Sequence, residues 1–250
     1  AILLAWFVPL PRGHFWTLCW ISFIAATLQY GLTFSGLALM AATPAVLLVQ
    51  SEVIFGVIIA ALLLGERPSL RQMIGIVMAS CGVVVILGAP ALDGQWLGIG
   101  LVLSGALVWA FGQVLIRRLD GALGGFQLTA WIGVMAGPQM LLASFFIDGN
   151  PLPAIQAAPI EAWLTVIYLG VVMTAIGYSA WYFVLARYPV PMVMPVLLLL
   201  PVAAIFGAVT MLGEAPDPMV LAGGMVVIFG VGVVVVEPAY LLAWWRKKTG

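Results

Sequence analysis

The sequence predicts an all-α polytopic membrane protein made of two inverted-topology repeats of five transmembrane helices, with the first helix and part of the second missing from this chain. Three observations carry that prediction. Of 250 residues, 64% are apolar and only 7% charged, with mean hydropathy +1.21, whereas a soluble domain carries about 25% charged residues. All nine Lys and Arg fall in alternate connections between apolar runs: Arg12, then Arg67 and Arg71, then Arg117 and Arg118, then Arg187, then Arg246, Lys247 and Lys248. Finally, a pattern of Gly, Glu and Pro recurs at a constant separation of 148 positions.

A spanning helix needs about 20 mostly apolar residues. In chain order the runs that qualify are 15–40, 43–64, 72–89, 96–116, 126–147, 161–186, 190–212 and 219–236, and residues 1–10 are a stub too short to cross. Each run is far longer than a barrel strand and lacks period-two alternation, so each is a helix. Turn chemistry separates them: Pro11-Arg12-Gly13, Glu66-Arg67-Pro68, Pro90 to Gly94, Asp120 to Gly125, Pro151 to Pro159, and Ala215 to Pro218. Cytoplasmic loops carry the Lys/Arg excess. The connections without cations hold Asp93, Asp148, Glu161, Glu214 and Asp217, so the alternation places the C-terminus in the cytoplasm.

The repeat pairs Gly65-Glu66, Pro68, Gly75 and Gly82 with Gly213-Glu214, Pro216, Gly223 and Gly230, and it carries Tyr30 onto Tyr178. Glu66 lies on the cation-bearing side and Glu214 on the other. Two copies in opposite orientations require an odd number of spans in each, and the second copy has five. The expected organisation is a first copy at 1–90, a second at 96–237 and a cytoplasmic basic tail at 238–250. Aligning Met140 to Ala143 with Ala1 to Leu4 puts the start of the first copy roughly forty residues upstream of Ala1, as the inverted-repeat plan of secondary transporters requires. The Gly75, Ala79, Gly82 ridge and the Gly223, Gly230 ridge let backbones approach closely and are expected to pack within each copy. Pro44, Pro138, Pro195 and Pro201 interrupt spans.

Composition also excludes several classes. Net charge is zero and there is no basic stripe, which argues against nucleic-acid binding. Cys19 and Cys81 sit inside apolar spans as packing residues, and His14 has no second His or paired Cys with which to hold a metal. No cofactor is expected. Apart from Glu161 at the first position of 161–186, the spans hold one Glu, no Asp, no His and no Gly-x-Ser-x-Gly elbow, which argues against an intramembrane enzyme.

The run Leu62-Leu63-Leu64-Gly65-Glu66-Arg67-Pro68, the Gly75 to Gly82 segment, Val108-Trp109-Ala110, and the stretch from Tyr168 to Tyr188 with Gly177-Tyr178 and Trp181 resemble the EamA-type family of the drug/metabolite transporter superfamily. The last stretch is similar to bacterial O-acetylserine/cysteine and amino-acid exporters. The resemblance implies ten helices in two inverted repeats, a central cavity, and export of small metabolites across the bacterial cell inner membrane. The missing first helix departs from that pattern.

Glu52 is the one ionisable residue near the centre of a span. A charge there costs on the order of 3 kcal/mol, so the carboxyl must face a cavity, find a partner or hold a proton. It reads as an amine-binding or proton-coupling group, or as a structural carboxyl bonded to a neighbouring helix. Gln50 lies about 200° round the helix from it, so the two do not share a face. Gln29 and Tyr30 lie midway along 15–40. Trp109 and Gln113 stand one turn apart on 96–116, an aromatic wall with an amide handle, and Tyr178, Trp181 and Tyr182 repeat this at i, i+3, i+4. For each aromatic the competing reading is helix packing. Trp6, Trp16, Trp20, Trp96, Trp163, Trp244 and Trp245, near span ends, read as an interfacial belt.

The expected activity is secondary-active export of amino acids or related small metabolites by alternating access, with the lipid bilayer as environment and protons as a candidate coupling ion. The alternatives are a drug or nucleotide-sugar carrier of the same superfamily, or a truncated membrane protein that transports nothing.

Overall fold

The computed structural model describes residues 5–40, 42–87, 95–147, 149–150, 152–212 and 218–236. Glu214, Asp217, Asp93, Asp148 and the basic tail, on which part of the charge alternation rests, lie outside the described residues.

The described residues form an antiparallel assembly of apolar helices. Helix α1 runs from Arg12 to Leu37. It is followed by α2 (Ala42–Val49), α3 (Ser51–Leu63), α4 (Leu70–Leu87), α5 (Trp96–Arg117), α6 (Gly125–Ile147), the short α7 (Leu152–Ala157) and α8 (Ile160–Leu185). Helix α9 begins as Val190–Val193, tightens to 3-10 winding over Met194–Leu199 and continues as Leu200–Leu212, and α10 is Pro218–Val235. Among the described residues, α1, α5, α6, α8, α10 and the 190–207 stretch of α9 are long and apolar enough to cross a bilayer. Their outward faces are rich in exposed Leu, Ile, Val and Phe. Trp6, Trp16, Trp20, Trp96 and Trp163 are exposed, as suits aromatic residues at a membrane–water boundary.

The expected single span over 43–64 is divided. The helix breaks at Gln50, where Ser51 Oγ donates to the Leu48 carbonyl at 2.5 Å and the Val53 N–H closes on the Gln50 carbonyl at 3.2 Å. A hydroxyl that satisfies a backbone carbonyl offers the chain an alternative to continuous helix. The break has a consequence for charge: Glu52 falls in the first turn of α3, where free N–H groups favour an anion.

The two glycine ridges, at 75–82 and 223–230, pack against each other, contrary to the expectation that each packs within its own copy. Helices α4 and α10 form the most extensive pairing among the described residues. A Cβ placed on Gly75 would lie 2.6 Å from the Gly230 carbonyl oxygen, and one on Gly82 would lie 2.8 Å from the Gly223 carbonyl oxygen. Gly75 plus 148 is Gly223, and Gly82 plus 148 is Gly230, so the contact is reciprocal under the shift and the helices run antiparallel. Sequence showed the ridges but not which face met which.

The same register governs helix winding. Residues Phe23–Leu28 of α1 are wound as a π-helix, and adding 148 gives 171–176, inside the π-wound Leu169–Tyr178 of α8. Such wide turns interrupt the regular ladder and are found frequently at functional sites. In both helices the wide turn ends at or just before the repeated tyrosine, Tyr30 or Tyr178.

Candidate substrate cavity

A cavity of about 370 Å³ lies between α1, α3, α5, α8 and α9. It is lined by Gln29, Tyr30, Glu52, Trp109, Tyr178 and Trp181, together with Met173, Gly177, Leu197 and Leu200. Glu52 is 9% exposed. It makes no hydrogen bond or ion pair to another described residue, and no Lys, Arg or His lines the cavity. Gln29 is partly committed, since its Nε2 donates to Thr33 Oγ1 one turn along the same helix at 3.0 Å.

The aromatic wall is built from two helices. The Trp109 ring on α5 lies 6.1 Å from the Trp181 ring on α8, tilted by 33°, within the range of favourable aromatic pairs. Gln113 stands behind this wall rather than on it. It is fully buried, and its Oε1 accepts from Trp181 Nε1 at 2.8 Å, so it acts through the indole. Close approach of α1 and α5 is permitted by Gly105 and Gly112, whose absent side chains would meet Thr33 and Ala25.

A second cavity, of about 220 Å³, lies between α1, α6 and α8. Tyr30 and Tyr178 line both cavities, and their hydroxyls meet at 3.4 Å. Tyr182 belongs to the second cavity and packs on Tyr178 with ring centroids 5.6 Å apart. Gln50 is buried at the α2–α3 break with its Oε1 unpartnered among the described residues, and it lines neither cavity. Of the predicted residues, then, six line one cavity, one lines its neighbour, one supports the wall from behind and one lies apart.

Sequence reasoning missed a polar cluster at one end of the assembly. Gly65, at φ +71°, ends α3 in the left-handed conformation that glycine adopts readily and turns Glu66 inward. Glu66 Oε1 pairs with Arg117 Nε at 3.0 Å, and its Oε2 accepts from the Val190 N–H at 2.7 Å, at the start of α9. Arg117, in the last turn of α5, also donates to the Ala186 carbonyl at 2.7 Å. The Glu66 carboxylate thus ties the end of α3 to α5 and α9, and Arg117 extends the tie to the end of α8. The Gly65-Glu66 signal was visible in the repeat but read only as a turn.

These features define a multi-pass helical membrane protein with a polar hollow enclosed between helices from both ends of its chain. The EamA-like transporter family model matches residues 1–88 and 96–236, and the chain belongs to that family. It is 30% identical over 199 residues to a probable amino-acid metabolite efflux pump of Salmonella typhimurium, covering 76% of this chain and 66% of that protein. It is 31% identical over 189 residues to a probable terminal-alkyne amino-acid exporter of Streptantibioticus cattleyicolor, covering 74% of this chain and 61% of that protein. The chain therefore spans about two thirds of the length of the curated relatives it matches. A solved crystal structure 21% identical shares the fold, with a TM-score of 0.72 over 88% of this chain and 75% of that one.

Proposed function

We propose that this chain is a secondary-active exporter of amino acids or related small metabolites, working by alternating access through the central cavity. The observation that carries the reading is Glu52: a buried carboxyl in a membrane cavity, with no cation among the lining residues and no partner among the described ones. Such a group is costly unless something binds it, and a substrate ammonium or a proton fits the need. The names of the relatives, an amino-acid metabolite efflux pump and an amino-acid exporter, support the same class. Competition between ammonium and proton for one carboxyl would couple export to proton entry.

In this reading the copies at 1–90 and 96–237 are inverted repeats. The reciprocal glycine contact of α4 with α10 and the paired π-wound turns support it. The cation-bearing ends face the cytoplasm of the bacterial inner membrane, and the tail at 238–250 lies there too. Glu66 belongs to the first copy, and Arg117 and Val190 to the second, so their cluster closes the cytoplasmic end in this conformation. It must part for the cavity to open inward.

Uptake of a panel of radiolabelled amino acids into inside-out membrane vesicles containing the protein, against vesicles carrying Glu52→Ala, tests the reading. Accumulation of at least one amino acid by the wild type alone is expected. Equal accumulation in both preparations for every compound would remove it.

A further inference from the structure

The central cavity is polar on one side and ends at Tyr30 and Tyr178. Beyond these two rings lies the second cavity, whose lining is of another kind: Ala25, Ile132, Gly133, Ala136, Gly137 and Met140 supply most of it. Ala25, Ile132 and Ala136 are buried. Away from the tyrosine pair it carries three hydroxyls, those of Thr129, Thr174 and Tyr182, and Thr129 Oγ1 already donates to the Gly125 carbonyl at 3.0 Å. Nothing charged lines it.

The tyrosine pair is a weak partition. A normal O–H···O bond is about 2.8 Å, and the hydroxyls stand at 3.4 Å. When they part, two O–H donors face the passage between a carboxylate-bearing compartment and an apolar one. That order, an anion, then two neutral donors, then a mostly apolar pocket without charge, complements one arrangement of groups in a ligand: an ammonium, a carboxylate and an apolar chain carried on a single carbon.

We propose that the ligand is a neutral α-amino acid with an unbranched or lightly branched apolar side chain. Its ammonium pairs with Glu52, its carboxylate accepts from the Tyr30 and Tyr178 hydroxyls, and its side chain fills the second cavity. This assignment rests on the reading of the central cavity as the transport site. A charged side chain would be buried against Ala, Ile, Gly and Met with no counter-charge, and a strongly polar one would find only the Thr174 and Tyr182 hydroxyls, which disfavours both relative to an apolar chain. A phosphate-bearing ligand would find no cation in either cavity.

The test is a chain-length series. Alanine, 2-aminobutyrate, norvaline and norleucine compete for binding to the purified wild-type protein in lipid nanodiscs, and affinity is expected to rise about fourfold with each methylene buried. Two variants fill the second cavity from different helices. Gly137→Leu starts from a position where an added Cβ meets nothing within 4 Å, and Thr174→Leu enters from α8. In each, norleucine affinity is expected to fall to that of alanine, with thermal unfolding in detergent as the check that the variant is folded. Binding of the series by the wild type with no dependence on length would overturn the side-chain assignment and leave the exporter reading standing. The same holds for a slope that survives in both folded variants. Binding of no amino acid by the wild type would overturn the exporter reading and this assignment with it.

Discussion

Tyr30 and Tyr178 stand 148 positions apart in the chain and bring their hydroxyls within 3.4 Å of each other. The separation equals the sequence repeat, so each tyrosine meets its own counterpart. In the proposed inverted-repeat reading a residue meets its counterpart only near the axis relating the copies, which would put this pair at the centre of the assembly. Tyr30 also stacks on Phe34 at 5.5 Å, nearly parallel, while Tyr178 leans on Tyr182. Phe34 plus 148 is Tyr182, so each ring packs on the equivalent position four residues on, occupied by Phe in one case and Tyr in the other.

Each hydroxyl should therefore contribute to substrate binding through one shared contact. Tyr30→Phe and Tyr178→Phe are each expected to weaken amino-acid binding by about fivefold, the equivalent of about 1 kcal/mol. The double variant should lose less than the product of the two. Strict additivity in binding isotherms would mean that the hydroxyls act separately.

Glu52→Gln keeps the shape of the side chain and removes its ability to ionise. Amino-acid affinity should fall at least tenfold, with membrane insertion unchanged. Wild-type export should quicken as the outside is acidified, because outside protons would displace substrate from the carboxyl. Residual export by the variant should be flat with pH. A variant that kept the wild-type pH profile in proteoliposomes would exclude Glu52 from coupling.

The Glu66–Arg117 cluster predicts a population shift. A hydrogen bond to a charged group contributes about 2 kcal/mol, so Glu66→Gln should favour the inward-open form on the order of thirtyfold. Leu197→Cys in a background of Cys19→Ala and Cys81→Ala reports this as faster thiol labelling from the cytoplasmic side. Unchanged labelling would show that the cluster does not hold that end shut.

Gly230→Ala introduces a Cβ 2.6 Å from the Ala79 backbone nitrogen. Overpacking of this kind costs about 1–3 kcal/mol, so the thermal midpoint in detergent should drop by several degrees. Gly232→Ala, whose Cβ meets nothing within 4 Å, should not lower it. Equal midpoints would mean that α4 and α10 are not closely packed in solution.

Opposite orientation of the copies is checked most directly by accessibility. In the same background without native cysteines, Arg67→Cys should react with a membrane-impermeant thiol reagent only from the cytoplasmic face, and Ala215→Cys only from the other. Labelling of both from one face would end the inverted-repeat reading.

The amino-acid sequence by itself determined that this is a helical membrane protein of the EamA type and where nearly every span lies. Length and apolarity decide those features locally, and the lipid requires each span to satisfy its own backbone. It also marked Gln29, Tyr30, Glu52, Trp109, Tyr178 and Trp181, because polar or aromatic groups at mid-span stand out against an apolar background. Tertiary structure alone decided which faces meet. The glycine ridges could have packed within a copy or between copies, and helix periodicity does not distinguish the two. Gln113 shares a face with Trp109 yet lies behind Trp181, because α8 comes between it and the hollow. Glu66 looked like part of a turn until the fold brought Arg117 and Val190, from distant segments, to its carboxylate. Spacing along one helix fixes direction round that helix; which neighbour stands there is set by the packing of the others.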